Sequence, residues 1–159
     1  METESGSELG WKQAAFDELS PAELYALLRL RSLVFVVEQE CPFLDLDGRD
    51  AAALHLLGLR EGDGELAAYA RFFAPGAVFP EASIGRIVTH PQVRGTGAGK
   101  TLMAEALRRV DALAPGAPIR LCAQRYLERF YGGFGFRPAS QPYLEDGIPH
   151  VEMVRPGTG

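Results

Sequence analysis

The segment Arg94-Gly95-Thr96-Gly97-Ala98-Gly99-Lys100 constrains the fold of this chain more than any other. It follows an apolar run at residues 83–89 that reads as a strand. It leads directly into Leu102, Met103, Ala106, Leu107 and Val110, spaced as one face of a helix. Without Cβ atoms, the three glycines let the backbone turn tightly and bring successive N–H groups against a ligand. With a helix N-terminus behind them, those groups form a nest for a phosphate or pyrophosphate, and Arg94 and Lys100 add charge of the right sign. A helix start that merely turns tightly is the competing reading, although three alternate glycines exceed what a turn requires. Two familiar phosphate loops fail on spacing. The pattern G-x-x-x-x-G-K-[ST] has its end in Gly99-Lys100-Thr101, but Arg94 stands where its first glycine belongs. The pattern G-x-G-x-x-G needs a third glycine at position 100, which is lysine.

Strands and helices interleave around this unit. A short strand is predicted at residues 11–16. Ser20 then caps a helix with Pro21 at its first position and Glu23 completing a Ser-x-x-Glu box. Leu24, Leu27, Leu28, Leu30 and Val34 follow near helical spacing, residues 33–37 are apolar and mostly β-branched, and Pro42 ends the regularity. Residues 53–60 and 66–73 flank a Gly-rich turn and read as a hairpin. A strand at 119–123, a short helix at 126–131 broken by Gly132-Gly133, and closing strands at 134–136 and 151–154 complete the pattern. Neither a repeat nor an interdomain linker interrupts it. One α/β (or α+β) domain is therefore expected at residues 11–155, with frayed tails at 1–10 and 156–159.

Composition narrows the function. The 159 residues carry a net charge of −5 and a pI near 5.2, which argues against a nucleic-acid partner, whose affinity rests on neutralised phosphates. Fourteen of the 16 cations are arginines, which favour fixed, forked contacts with oxyanions. No stretch approaches the apolar length of a membrane span, and the first ten residues lack the marks of an export signal, so a cytoplasmic setting is expected. Cys41 and Cys122 are too few for a disulfide framework and read as buried, reduced thiols. No His/Cys/Asp spacing suggests a metal.

The motifs resemble those of the GNAT (Gcn5-related) N-acetyltransferases. The pyrophosphate loop of that family, [QR]-x-x-G-x-[GA], is met by Arg94 to Gly99, after a strand as it should be. Its Tyr-x-x-x-Gly-Phe motif is met by Tyr131-Gly132-Gly133-Phe134-Gly135-Phe136, and Gln124 stands where the family often carries Asn. The match is closer to the small ElaA-like branch. Its hallmarks are similar to Val34-Phe35-Val36-Val37-Glu38-Gln39-Glu40-Cys41-Pro42, the Phe130-Tyr131 pair, and Gly147-Ile148-Pro149-His150-Val151-Glu152-Met153.

The resemblance implies a mixed, mostly antiparallel twisted sheet, splayed between the strands at 83–89 and 119–123 and flanked by helices on both faces, with acetyl-CoA in the cleft. Ile87, Val88 and Thr89 would offer backbone groups to the pantetheine arm and an N–H to the thioester carbonyl, stabilising the tetrahedral oxyanion. Residues Arg94, Gly95, Thr96, Gly97, Ala98, Gly99 and Lys100 would hold the pyrophosphate, with Gln124 as a further cofactor contact. A primary amine, of a small molecule or a peptide, would attack the thioester directly. Tyr131 would protonate the departing thiolate, although the same ring also reads as an aromatic packed beside Phe130, Phe134 and Phe136.

For the base, Glu38 would serve if burial raised its pKa, or would pair structurally with an arginine. His150 is the other candidate, with a structural histidine as its alternative, and water-mediated deprotonation needs neither. His90 could face the cleft, and His55 reads as structural. Cys41 as an acyl-carrying nucleophile lacks a neighbouring base. The acidic loop Asp45, Asp47 and Asp50, like Glu145-Asp146, either attracts a cationic amine or is simply solvated. Alternatives of another class are a P-loop-like nucleotide-binding protein and a non-catalytic CoA-binding module. An exposed edge strand leaves a homodimer open, and no membrane partner is expected.

Overall fold

In the computed structural model, which describes residues 8–158, the Ser20 hydroxyl accepts from the Glu23 N–H at 3.1 Å. The Glu23 carboxylate in turn accepts from the Ser20 N–H at 2.9 Å. This reciprocal cap starts helix α1 (Pro21–Arg31) where the sequence predicts it. The chain then does not stop. Ser32–Glu38 continues as a wider π-helical turn, with Gln39 N–H donating to Val34 O at 3.2 Å and Cys41 N–H to Val36 O at 3.0 Å. The left-handed residue Glu40 (φ +50) ends it before Pro42.

The chain divides into two compact units, each assembled from two stretches. The first is the chain up to Phe72 with Arg86–Arg108; the second is Phe73–Gly85 with Arg109 onward. In the first unit, β1 (Leu9–Ala15) runs antiparallel to β2 (Leu54–Arg60), which runs antiparallel to β3 (Leu66–Phe73), with β4 (Ala82–Thr89) next in order. The Trp11 ring fills the space beside Gly58: a Cβ there would lie 2.6 Å from it, so only glycine fits opposite the indole. Leu27, Leu30 and Val34 pack on Leu57, Tyr69 and Val88 as one core cluster. Each such side chain contributes about 1.5–3 kcal/mol by leaving water. Residues 67–73 of β3 are all buried, so the two-residue alternation of a half-exposed strand is absent there. Helix α2 (Ala98–Leu113) buries Leu102, Met103 and Ala106.

In the second unit, β5 (Ile119–Gln124) runs antiparallel to β8 (Ile148–Arg155). The start of β4 joins β5 in parallel at Ala82↔Ile119 and Ser83↔Arg120, where the register ends. Short strands β6 (Arg137–Pro138) and β7 (Tyr143–Glu145) pair with β8, and α3 covers Glu128–Gly132. Arg120 ties these strands together, with Nε to Glu81 at 3.0 Å and Nη1 to Glu152.

Several expectations need correction. Phe134-Gly135-Phe136 is not a strand. Phe134 N–H and Phe136 N–H both return to Tyr131 O, and Gly135 sits at φ +94, so the segment closes α3 and β6 begins only at Arg137. Leu9 and Gly10 belong to β1 rather than to a tail; residues 1–7 lie outside the described residues. The closing segment is not frayed through residue 158. Thr158 N–H donates to Gly116 O at 3.0 Å, and a Cβ on Gly157 would meet that oxygen at 2.6 Å; residue 159 lies outside the described residues. Cys41 is buried, but Cys122 is exposed because its side chain alternates outward between Leu121 and Ala123. No helix among the described residues is long and apolar enough to cross a membrane.

Candidate active site

Pro91–Val93 makes one tight turn after β4, capped by His90, whose Nδ1 accepts from the Gln92 N–H at 3.1 Å. His90 thus serves the backbone of its own turn. Gly95 and Gly97 follow at φ +82 and +88, in the left-handed region that L side chains rarely adopt, and no atom lies within 4 Å of where a Cβ would project from either. Gly99 differs, since it lies within the first turn of α2 and needs no special φ. Thr96 and Thr101 hydroxyls donate to Val93 O at 2.6 Å and Gly97 O at 3.1 Å, fixing the loop from within. Residues 94–97 and Lys100 are exposed, so the loop offers open backbone beside cationic side chains.

At the loop's mouth, both Arg94 Nη atoms donate to Glu38, at 2.7 and 2.6 Å. This bidentate pair joins the end of the π-helical turn to the glycine loop. It also overturns the raised-pKa reading of Glu38. The carboxylate is substantially exposed, and the Arg94 guanidinium holds its pKa below the usual range, so with Arg94 on it Glu38 is an ion-pair partner rather than a poised base.

The carboxylates of the acidic loop are paired with arginines rather than left free, with Asp45 buried, Asp50 half-buried and Asp47 exposed. Arg31, on the buried stripe of α1 four residues after Leu27, donates from Nε to Asp45 and from Nη1 to Asp50, both at 2.8 Å. Arg71 in β3 binds Asp47 at 2.9 Å and Asp50 at 2.8 Å, and Arg86 in β4 binds Asp45 at 2.7 Å. The extended loop therefore turns Asp45 inward (3% exposed) and its neighbours Leu44 (79%) and Leu46 (48%) outward. The arginine partners hold the Asp47 and Asp50 carboxyls below their usual range against the opposing effect of burial.

His55 completes the cluster. Its Nε2 lies 2.9 Å from Asp50 O, a carbonyl that can only accept, so Nε2 carries the proton and Nδ1 accepts from Tyr69 Oη at 2.7 Å. Burial lowers the His55 pKa and keeps it neutral in this structural role.

In the second unit, Tyr131 lies in α3 with its ring packed edge-on against Phe130 (5.2 Å between centroids) and Phe136 (6.3 Å). The aromatic-packing reading therefore describes its ring, and burial pushes its phenol above the ordinary value. Gln124 ends β5 opposite His150 of β8. His150 is buried; its Nδ1 sits 2.7 Å from Ile148 O and so carries a proton, and its ring stacks on Tyr143. Glu145 closes β7, and Asp146 at φ +51 makes the turn into β8.

What the sequence reading missed is the arginine side of the ion cluster. The signal was present: Arg71 and Arg86 each interrupt an apolar run, Arg31 falls on the Leu27–Val34 stripe that starts in α1, and a buried guanidinium requires carboxylate partners.

Comparison with known proteins matches these features to one family. The profile of the acetyltransferase (GNAT) domain matches residues 50–155. The protein ElaA of Escherichia coli is 42% identical over 147 residues, 91% of this chain and 95% of that protein. A UPF0039 protein of Synechocystis is 39% identical over 92% of this chain and 95% of its own length. Among solved structures, an acyl-CoA N-acyltransferase from Pseudomonas aeruginosa is similar at a TM-score of 0.88 and 42% identity, covering 93% of this chain and 99% of that one. The E. coli ElaA structure is similar at 0.86 and 41%, covering 92% and 99%. The α/β architecture is the single-domain GNAT fold.

Proposed function

Because the chain belongs to the GNAT acetyltransferase family, we propose that it moves an acetyl group from acetyl-CoA to a primary amine by direct attack while both are bound. The observation that carries this reading is the loop at residues 94–100. Two glycines at positive φ leave open space where side chains would project, and a helix N-terminus and two cations stand beside it. A cradle of that kind fits the diphosphate of coenzyme A. Acetyl-CoA supplies an activated acyl group as its thioester.

The chain's residues do the rest. Backbone N–H groups of Gly95, Gly97, Ala98, Gly99 and Lys100 bind the diphosphate, while the Thr96 N–H donates to Val93 O and holds the loop in shape. Arg94 exchanges the Glu38 carboxylate for phosphate oxygens, one charge-assisted pair for another. Backbone groups of Ile87, Val88 and Thr89 orient the pantetheine arm and polarise the thioester carbonyl. Gln124 adds a polar cofactor contact. Tyr131 Oη delivers a proton to the departing sulfur. His150, with Nδ1–H fixed by Ile148 O, has Nε2 as the lone pair that accepts a proton from the incoming ammonium. Most of the acceleration comes from holding two reactants in attack geometry.

The test is thiol release from acetyl-CoA across a panel of small amines and peptide N-termini. Saturable release with at least one acceptor, above the hydrolysis background, is the expected outcome. Tight acetyl-CoA binding by calorimetry with no release for any acceptor would instead make the chain a CoA-binding module. Mg²⁺-dependent ATP hydrolysis would point to a nucleotide enzyme.

A further inference from the structure

Arg86, in β4, has φ +49, a left-handed conformation in the course of an extended strand. The neighbouring Gly85, which could adopt it without strain, does not. Such a backbone persists only where the surroundings over-determine it. Here they do. Arg86 Nε donates to Asp45 Oδ1 at 2.7 Å, Arg86 Nη2 to Asp45 O at 2.8 Å, and the guanidinium lies 5.8 Å over the Phe43 ring. Asp45 is itself immobilised from the opposite side by the fully buried Arg31, through Nε to Oδ2 at 2.8 Å and Nη2 to the Asp45 carbonyl at 3.2 Å. Two residues on, Val88 is locked into the core cluster with Leu27, Leu30 and Tyr69. The bend is thus held before it by an ion pair and after it by packing.

We infer that Asp45 is a positioning residue: through Arg86 it holds the left-handed bend in β4 and so fixes the direction in which the backbone groups of residues 87–89 point. The inference rests on the acyl-transfer reading, since those backbone groups are the ones it assigns to the acyl-carrying arm. It gives the acidic loop a purpose other than attracting an amine. It also explains why an arginine, with a side chain able to reach Asp45, stands at a φ that favours glycine.

The test separates the bend from the ion pair. Arg86→Gly and Arg86→Val both remove the guanidinium, and both leave Asp45 paired with Arg31, so both lose the same ion pair and each is read well below its own Tm. Only glycine tolerates the positive φ. Arg86→Gly is therefore expected to keep kcat/KM for acetyl-CoA within about 3-fold of wild type. Arg86→Val straightens the strand and loses on the order of 20-fold or more, because small misplacements of bound reactants are costly.

Asp45→Asn, read well below its lowered Tm, is expected to lose activity similarly, and adding Arg86→Gly to it to restore most of that loss. A merely structural role predicts that the double variant is no better than Asp45→Asn. A readout independent of turnover is the backbone amide resonances of Ile87, Val88 and Thr89, which should move in Arg86→Val and stay close to wild type in Arg86→Gly. Unmoved resonances in Arg86→Val, or equal activity losses in the valine and glycine variants, overturn the clamp. Moved resonances in a wild-type background that releases no thiol would overturn the acyl-transfer reading and leave the clamp standing.

Discussion

A tyrosine ring and its hydroxyl can be judged separately, and Tyr131 shows why that matters. Its ring is one of an edge-to-face set with Phe130 and Phe136, worth about 0.5–1.5 kcal/mol per aromatic pair, and phenylalanine would keep that packing. Only the hydroxyl is lost in Tyr131→Phe. The substitution should lower kcat by about 10²-fold with acetyl-CoA affinity little changed, as a group that acts by proton transfer requires. Single-turnover kinetics beside calorimetry would read this, and an unchanged chemical step would remove the acid role. Burial raises the phenol pKa, so the hydroxyl keeps its proton throughout the neutral range. Glu38 teaches the converse. Nothing in Val34-Phe35-Val36-Val37-Glu38 names Arg94 as its partner, 56 positions away, so an ion pair and a desolvated base are indistinguishable in the string of letters.

At the scale of elements, what could be read in advance was whatever depends on near neighbours. The Ser20–Glu23 cap, the hairpin of β2 and β3, and the strand–loop–helix unit ending in α2 follow from spacings of a few residues. The π-helical turn at Ser32–Glu38 was not legible, because distant strands supply the face that Val34 packs on, whereas β7 pairs with the adjacent β8 across Asp146-Gly147, a local hairpin signal that went unread. Local spacing also misled at 134–136, where alternating phenylalanines imitate a strand while their amides close a helix.

The glycine loop yields the prediction proper to this scale. Gly97→Val meets no neighbouring atom, so the fold survives with unchanged far-UV circular dichroism. The φ of +88 is nonetheless closed to a β-branched residue, and the valine projects into the cradle. Acetyl-CoA affinity should fall at least about 10-fold by calorimetry, since the backbone N–H groups can no longer converge on one anion.

For the molecule as a whole, the ion cluster sets the acid limit. Asp47 and Asp50 have folded-state pKa values below their unfolded ones. Their contribution to stability is therefore complete above the unfolded aspartate value, near 3.9, and disappears as pH falls through the lower folded values. Tm measured by scanning calorimetry should be level from pH 7 to about 5 and drop progressively below about 4. Asp50→Asn should lower the plateau, because Arg31 and Arg71 each lose a charged partner, and should flatten the acid drop. A drop of wild-type slope in that variant would show that other carboxylates govern the transition.

Leu44 and Leu46 stand outside while Asp45 is sealed within. The formal anionic charge of that segment therefore casts little field beyond the protein. A cation approaching from afar is not drawn toward it, and arrival there is governed by the slow wander of diffusion and by greasy contact at close range.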